Sequence, residues 1–381
     1  MKIASIEISV FELPMYPAVS RVVEFGSPSS GSRWKQAFPG GGDVPIQVIK
    51  VITDDGIEGV CTVGDWRYTE LNWQQIATLR ELAVGEDPLN RDRLWSKLNA
   101  ASRFLDPVWR GGFDNCLWDI AGKAAGKSVA ALLGGARESG TAYYNTAGSS
   151  VEELIRDGER GLAAGFMTLK DHLAFGYEEN IGAFEAFRNA FGGDIGLMHD
   201  AALASYNFDE ALAVGEALES TDFIWFEEPI DDRIHEQNKR LCDALEIPIA
   251  GAETLMHDPA QGELWLRSGA TDVLRVNARH GLAAVDRLSE IAAELGTTVE
   301  PNSYGPLFGL VHAHVVCGIK NVDWFEIAPP NGGAEMGQAI GLMNPVIPVI
   351  PVNGSVTYPD APGWGAEWDW KQFEKKRVAV L

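Results

Sequence analysis

Three acidic residues, Asp200, Glu227 and Glu253, each close a short apolar segment: IGLMHD, FIWFEEP and IPIAGAE. They stand 27 and 26 residues apart, about the length of one strand, one helix and their loops in a (β/α)8 barrel. Strand ends repeated at that interval meet at one face of the barrel, so the three carboxylates converge there. Their mutual repulsion is costly unless a cation lies between them, which predicts a divalent metal, most simply Mg2+. One repeat earlier, FMTLKDHL supplies Lys170 and His172. A metal beside a base is equipment for removing a proton next to a carboxylate.

Side chains alternate along a strand, so Lys170 and His172 share one side while Leu169, Asp171 and Leu173 take the other. By the same parity Phe223, Trp225 and Glu227 share a face that excludes Glu228, and Gly251 aligns with Glu253. Alone, Lys170 reads as a solvated lysine and His172 as a loop histidine with its bonds satisfied; the neighbouring acid triad reverses that balance. The α-proton of a carboxylate is very weakly acidic, because its loss leaves a dianionic enediolate. A metal on the carboxylate neutralises that charge, and a lysine whose pKa is lowered by nearby cations takes the proton near neutral pH. Glu326 closes the last strand candidate and is expected to be a protonated acid that donates to the developing oxyanion.

The elements that must position these residues run from about 141 to 330. Eight strand candidates, TAYYNT, FMTLKDHL, GDIGLMHD, TDFIWFEE, IPIAGAE, TDVLRVN, TTVEPN and NVDWFEI, alternate with helical segments. One helix carries Ile181, Phe184 and Phe187 on a face, and another begins near Asn207 with Glu210 completing a capping box. A third carries Leu282, Val285, Leu288, Ile291 and Leu295 at helical spacing. Residues 1–140 form a separate α+β unit with a hairpin turning at Asp55-Gly56, and 331–381 form a Pro- and Gly-rich tail expected to pack back on it. The stretch 15–43, rich in Ser, Gly and Pro and holding Arg21, Glu24, Arg33 and Lys35, reads as an irregular lid over the substrate. Gly40-Gly41-Gly42 opens no helix and is not a phosphate cradle.

A chain of 381 residues accommodates a barrel of about 250 plus a smaller domain. Its formal charge of −23 argues against nucleic-acid and anionic-membrane partners. The opening MKIASIEISVFEL alternates as a strand and has no signal-peptide core, and no run of 18 apolar residues occurs, so a cytoplasmic location is expected. Cys61, Cys116, Cys242 and Cys317 are scattered without C-x-x-C spacing and read as inert thiols.

The chain resembles the enolase superfamily, and within it the mandelate racemase-like acid-sugar dehydratases. FDNCLWDIAGKAAGKSVAALLGG is similar to the family's A-x-D-x-A-L-W-D-x-x-G-K segment, VNGSVTYPDAPGWG to its closing segment, and GFMTLKDH to G-[FY]-x-x-x-K-x-K with His172 in place of the second lysine. Asp200, Glu227 and Glu253 match its three Mg2+ ligands. The resemblance implies an α/β, TIM-like barrel with an N-terminal α+β capping domain completed by the C-terminal tail, and a closed homo-oligomer, often of eight. It departs at the family's His-Asp dyad: Asn277 stands at the Asp position, with Arg275 or Val276 as alternative registers, and Asn302 at the His position. A two-base racemase is thereby disfavoured.

What these residues support is loss of water from a polyhydroxy acid. Lys170 or His172 removes the α-proton, the β-hydroxyl leaves from the same face, and a 2-keto-3-deoxy acid forms. Asn277, Asn302 and Tyr144 are candidate hydroxyl-binding groups, and Arg33 or Lys35 a partner for a second carboxylate. A lactone cycloisomerase or epimerase would use the same first half-reaction. A barrel that binds metal and ligand without turnover is the reading from another class.

Overall fold

The computed structural model describes residues 1–15, 21–25, 33–37, 42–64, 70–102, 107–173, 175–201, 206–302, 308–327, 343–344 and 351–381. Apolar alternation at the start builds β1 (Ile3–Met15), which buries Ile6, Ile8 and Val10 and exposes Glu7. The stretch read as an irregular lid carries a two-stranded antiparallel hairpin, β2 (Arg21–Phe25) with β3 (Arg33–Ala37). Val22, Val23, Phe25 and Trp34 favour extended backbone there. The Ser-, Gly- and Pro-rich positions that dominated the composition, at 26–32 and 38–41, lie outside the described residues. Next come β4 (Gly42–Thr53) and β5 (Glu58–Thr62), joined by a turn that Gly56 permits with φ 85°.

Four helices follow: α1 (Trp73–Ala83), α2 (Arg91–Ala101), α3 (Gly111–Ala125) and α4 (Val129–Leu132). Residues 111–122 of α3 are buried on every side, because the helix lies between the capping sheet and the barrel. Glycines allow that fit: a Cβ on Gly112 would press on Val63, and one on Gly111 would collide with the carbonyl of Arg279.

The second half is a ring of eight parallel strands: β6 (Gly140–Asn145), β7 (Thr168–Asp171), β8 (Gly196–Asp200), β9 (Phe226–Glu227), β10 (Ile249–Gly251), β11 (Val273–Val276), β12 (Val299–Pro301) and β13 (Trp324–Ile327). Neighbours pair in sequence order, and β13 pairs with β6. Between β12 and β13, the Val299 N–H donates to the Asn321 carbonyl, and the Glu300 carboxylate accepts from the Asp323 and Trp324 N–H groups. Helices α5 (Val151–Ala163), α6 (Tyr177–Phe191), α7 (Phe208–Ser220), α8 (His235–Ala244), α9 (Pro259–Ser268), α10 (Leu282–Glu294) and α11 (Phe308–Gly318) form the outer layer. Asn207 and Glu210 make the capping box of α7. On α10 the apolar face ends at Ile291, for Leu295 caps the helix and is exposed.

The tail adds β14 (Met343–Asn344), β15 (Ser355–Val356), β16 (Glu367–Trp368), α12 (Trp370–Phe373) and β17 (Arg377–Val380). Of these, β15 joins β6 of the barrel and β17 joins β1 of the capping sheet. Among the described residues no helix is long and apolar enough to cross a membrane.

Candidate active site

Inside the barrel, Tyr143, Met198, Trp225 and Ala250 make an apolar cluster. Above it, Lys170 on β7, Glu227 on β9, Arg275 on β11 and Glu326 on β13 form a closed ring in which charge alternates. Lys170 Nζ lies 2.9 Å from Glu227, Arg275 Nε 2.7 Å from Glu227, Arg275 Nη2 2.6 Å from Glu326, and Lys170 Nζ 3.3 Å from Glu326. Lys170, Glu227 and Arg275 are buried and Glu326 is partly so, and Asn145 donates a further hydrogen bond to Glu326 at 2.8 Å.

The ring revises two expectations. Burial alone would pull the Lys170 amine down, yet the carboxylates of Glu227 and Glu326, with Asp200 3.1 Å away, hold it well above its ordinary range. These carboxylates thus favour the ammonium form of Lys170. Burial likewise pushes Glu326 up, but Lys170 and Arg275 outweigh it and hold the carboxyl far below the usual range. Glu326 is an ionised acceptor and not a protonated donor. Arg275, considered in the sequence only as an alternative register, is the cation that closes the ring.

His172 sits at the rim above Lys170, its side chain 37 % exposed, with Nε2 3.1 Å from Asp200 Oδ2. Asp171, on the opposite face of β7, is tied instead to His199 Nδ1 at 2.7 Å, which holds β7 and β8 in phase.

Glu253 reaches the site by a route that strand alternation does not give. Ala250 faces the interior, so regular alternation would turn Gly251 and Glu253 outward together. A left-handed residue, Ala252 with φ 66°, resets the phase, and Glu253 opens a 3-10 turn. The Asp232 carboxylate stabilises that turn by accepting from the Ala252 and Thr254 N–H groups at 3.0 and 2.9 Å. Glu228, also left-handed with φ 48°, is buried and not on a helix-facing surface. Burial, then Glu253, Asp232, Asp200 and Glu227, holds its carboxyl well above the ordinary range.

Among the described residues no three Asp, Glu, His or Cys side chains are grouped closely enough to grip an ion as they stand. The donor chemistry nevertheless fits a hard dication, for Asp200, Glu227 and Glu253 offer only carboxylate oxygens. The thiols are remote from this chemistry; Cys61, Cys116 and Cys317 are buried, and burial raises Cys61 to about 12.

At the ends of β11 and β12 the structure brings Asn277 and Asn302 together, 2.6 Å apart through their side-chain amides. Tyr144 is placed elsewhere: its hydroxyl donates to Asp157 at 3.4 Å and its ring packs on Phe166 in the helical layer. The inward residues of β6 are Tyr143 and Asn145, since Tyr143 meets Arg275 and Asn145 meets Glu326. Arg33 lies on β3, with its side chain outside the described part of the chain, as is that of Lys35.

Comparison with known families accounts for both halves. Residues 153–372 match the family described as enolase C-terminal domain-like, and 33–134 the mandelate racemase / muconate lactonizing enzyme N-terminal domain. The chain belongs to the enolase superfamily, in its mandelate racemase-like subgroup. It is 29 % identical over 304 residues to the D-galactarolactone cycloisomerase of Agrobacterium fabrum, covering 74 % of this chain and 79 % of that one. The arabinonate dehydratase of Saccharolobus solfataricus is 30 % identical over 262 residues, 65 % of this chain and 69 % of that one. The crystal structure of D-glucarate dehydratase from Agrobacterium tumefaciens complexed with magnesium superposes over 100 % of both chains, with a TM-score of 0.82 and 26 % identity.

Proposed function

We propose that the protein is a Mg2+-dependent acid-sugar dehydratase that works from one face of its substrate. The observation that carries this reading is the asymmetry of the mouth: a half-exposed imidazole and an ammonium on β7, against two amides and no titratable group at Asn277 and Asn302. Asp200, Glu227 and Glu253 would hold the metal, which when bound supplies the positive charge that an enediolate needs.

Asp200 Oδ2 can only accept, so His172 carries its proton on Nε2 and presents the Nδ1 lone pair as the base. The α C–H bond breaks, its proton goes to Nδ1, and the electron pair enters the enediolate. When that pair returns, the bond to the β-oxygen breaks. The hydroxide takes the proton from the imidazolium and leaves as water; the enol then tautomerises, its O–H proton passing to solvent water while solvent water supplies one at the β-carbon, to give the 2-keto-3-deoxy acid. Lys170 moves no proton; its ammonium stabilises negative charge beside Asp200 throughout. One acid-base group acting twice makes the elimination syn.

The ligand implied is a small sugar carboxylate, and the assembly a closed homo-oligomer, to be measured by light scattering. The test is a panel of mono- and diacid sugars and their lactones with Mg2+, scored for keto-acid formation and for α-proton exchange in deuterated water. Keto acid from at least one member is expected. Exchange without keto product, or lactone isomerisation, would favour the second reading that the cycloisomerase relative supports. Binding with no exchange anywhere would leave a non-catalytic barrel.

A further inference from the structure

The amide pair at the ends of β11 and β12 has a polarity that hydrogen-bond accounting fixes. Asn277 Oδ1 accepts the Arg279 backbone N–H at 2.8 Å, and a backbone N–H can only donate, so the Asn277 amide has one orientation. Its Nδ2 therefore faces Asn302 and donates to Oδ1 there at 2.6 Å. Asn302 is fixed in turn: its oxygen is used, and its Nδ2 is directed away from the pair. That nitrogen is buried, in a side chain only 2 % exposed, and has no hydrogen-bond partner among the described residues. Leaving such a donor unpaired costs about 1–3 kcal/mol, which an accepting oxygen of a ligand would recover.

The support for this arrangement comes from the capping domain. Asn115 on α3 donates to the Ala278 carbonyl at 2.8 Å and accepts the Leu282 N–H at 3.0 Å, while Asp114 accepts the Ala283 N–H at 2.8 Å. His312 on α11 accepts the Ala278 N–H at 3.1 Å. The loop that orients Asn277 is thus held from two sides.

We propose that Asn302 Nδ2 is a donor reserved for one hydroxyl oxygen of the substrate, that Asn277 is the positioning residue that aims it, and that the pair selects one epimer of the acid. This rests on the proposed reading of the ligand as a sugar acid. A fixed donor on one side of the mouth meets a hydroxyl only when the configuration at its carbon turns it toward β12. The opposite epimer leaves Nδ2 unpaired and binds about tenfold or more weakly.

The test uses calorimetry on the Mg2+-loaded protein with galactarate and its epimers glucarate and talarate, with keto-acid formation followed in parallel. Wild type should prefer one epimer. Asn302→Ala should weaken that one about tenfold and the others less than about threefold, with melting temperature as the check on folding. Asn277→Asp should give the same collapse of preference, because a carboxylate accepts on both sides and turns the Asn302 amide over. Equal losses for all three acids, an unchanged preference in either variant, or no binding of any of the three by wild type overturns the inference. An acid bound with the expected selectivity but not converted leaves it standing and overturns the proposed reaction.

Discussion

The charged ring of Lys170, Glu227, Arg275 and Glu326 and the amide pair of Asn277 and Asn302 occupy the same barrel mouth, and β11 contributes to both. The ring satisfies buried charge with buried charge, two cations against two anions, with separations between 2.6 and 3.3 Å. The pair satisfies dipoles with dipoles and leaves one donor over. Within the ring Lys170 and Arg275 hold Glu326 far below the usual carboxyl range, whereas at Glu227 burial outweighs the same two cations and raises the group to about 7; an amide has no proton to trade at any ordinary pH. Removing the α-proton is the task we propose for His172 at the rim. The contrast also separates the energetics: removing one ring member strands charge, whereas removing one amide strands only a dipole.

The largest effect should come at the rim. His172→Asn should lower turnover, and the α-proton exchange rate, by about 10²–10⁴-fold with the melting temperature nearly unchanged. Exchange at the wild-type rate would return the base to Lys170 and dissolve the contrast between ring and rim. Arg275→Met should be costly in another way. It leaves Glu227 and Glu326 sharing Lys170 alone, so urea unfolding should show a loss of about 3–5 kcal/mol. If Asn302→Ala destabilises the protein as much, the two regions do not differ as described.

How much of this was legible depended on whether alternation held. Asp200 and Glu227 end β8 and β9, and Glu326 stands one residue before the end of β13, so the apolar runs gave their strands. The spacing of the three carboxylates singles out Glu253, but the parity that aligns it with Gly251 is broken by the left-handed Ala252, and nothing in IPIAGAE marks that residue as left-handed. In TAYYNT two adjacent tyrosines leave the phase open; Tyr143 and Asn145 turn inward and Tyr144 outward. The pairing of Glu326 with Tyr143 across β13 and β6 fixes that phase, and it is a long-range fact. Arg275 did leave a trace, as a lone charge inside VLRV, which demands a buried counter-ion. The carboxylates that face Lys170 from β8, β9 and β13 come from remote segments, so their pull on its amine is not legible in FMTLKDHL.

The amide side can be loosened without touching the substrate. Asn115→Ala removes both the donor to Ala278 and the acceptor of Leu282, so a loss of about 2–3 kcal/mol is expected by urea unfolding, with epimer preference reduced and exchange chemistry retained. Full retention of that preference would show that the loop needs no help from the capping domain.

A smaller effect should appear with acid, at the joint that carries the same helix α11. His314 Nδ1 accepts the Ala130 N–H at 3.1 Å and Nε2 donates to the Trp364 carbonyl at 3.1 Å, an arrangement open only to neutral imidazole. Burial holds the group down from 6.5 to about 4. Its unfolded counterpart takes up a proton first, so this stability is complete above about pH 6.5 and is lost as pH falls toward about 4. At about pH 5.5 the expected loss relative to pH 8 is about 1.4 kcal/mol. His314→Gln keeps an acceptor and a donor in similar places but cannot titrate, so its unfolding free energy should lack that part of the acid limb. An acid limb of equal depth in both proteins would therefore locate the pH sensitivity in the charged half of the mouth instead of the joint beneath the amides.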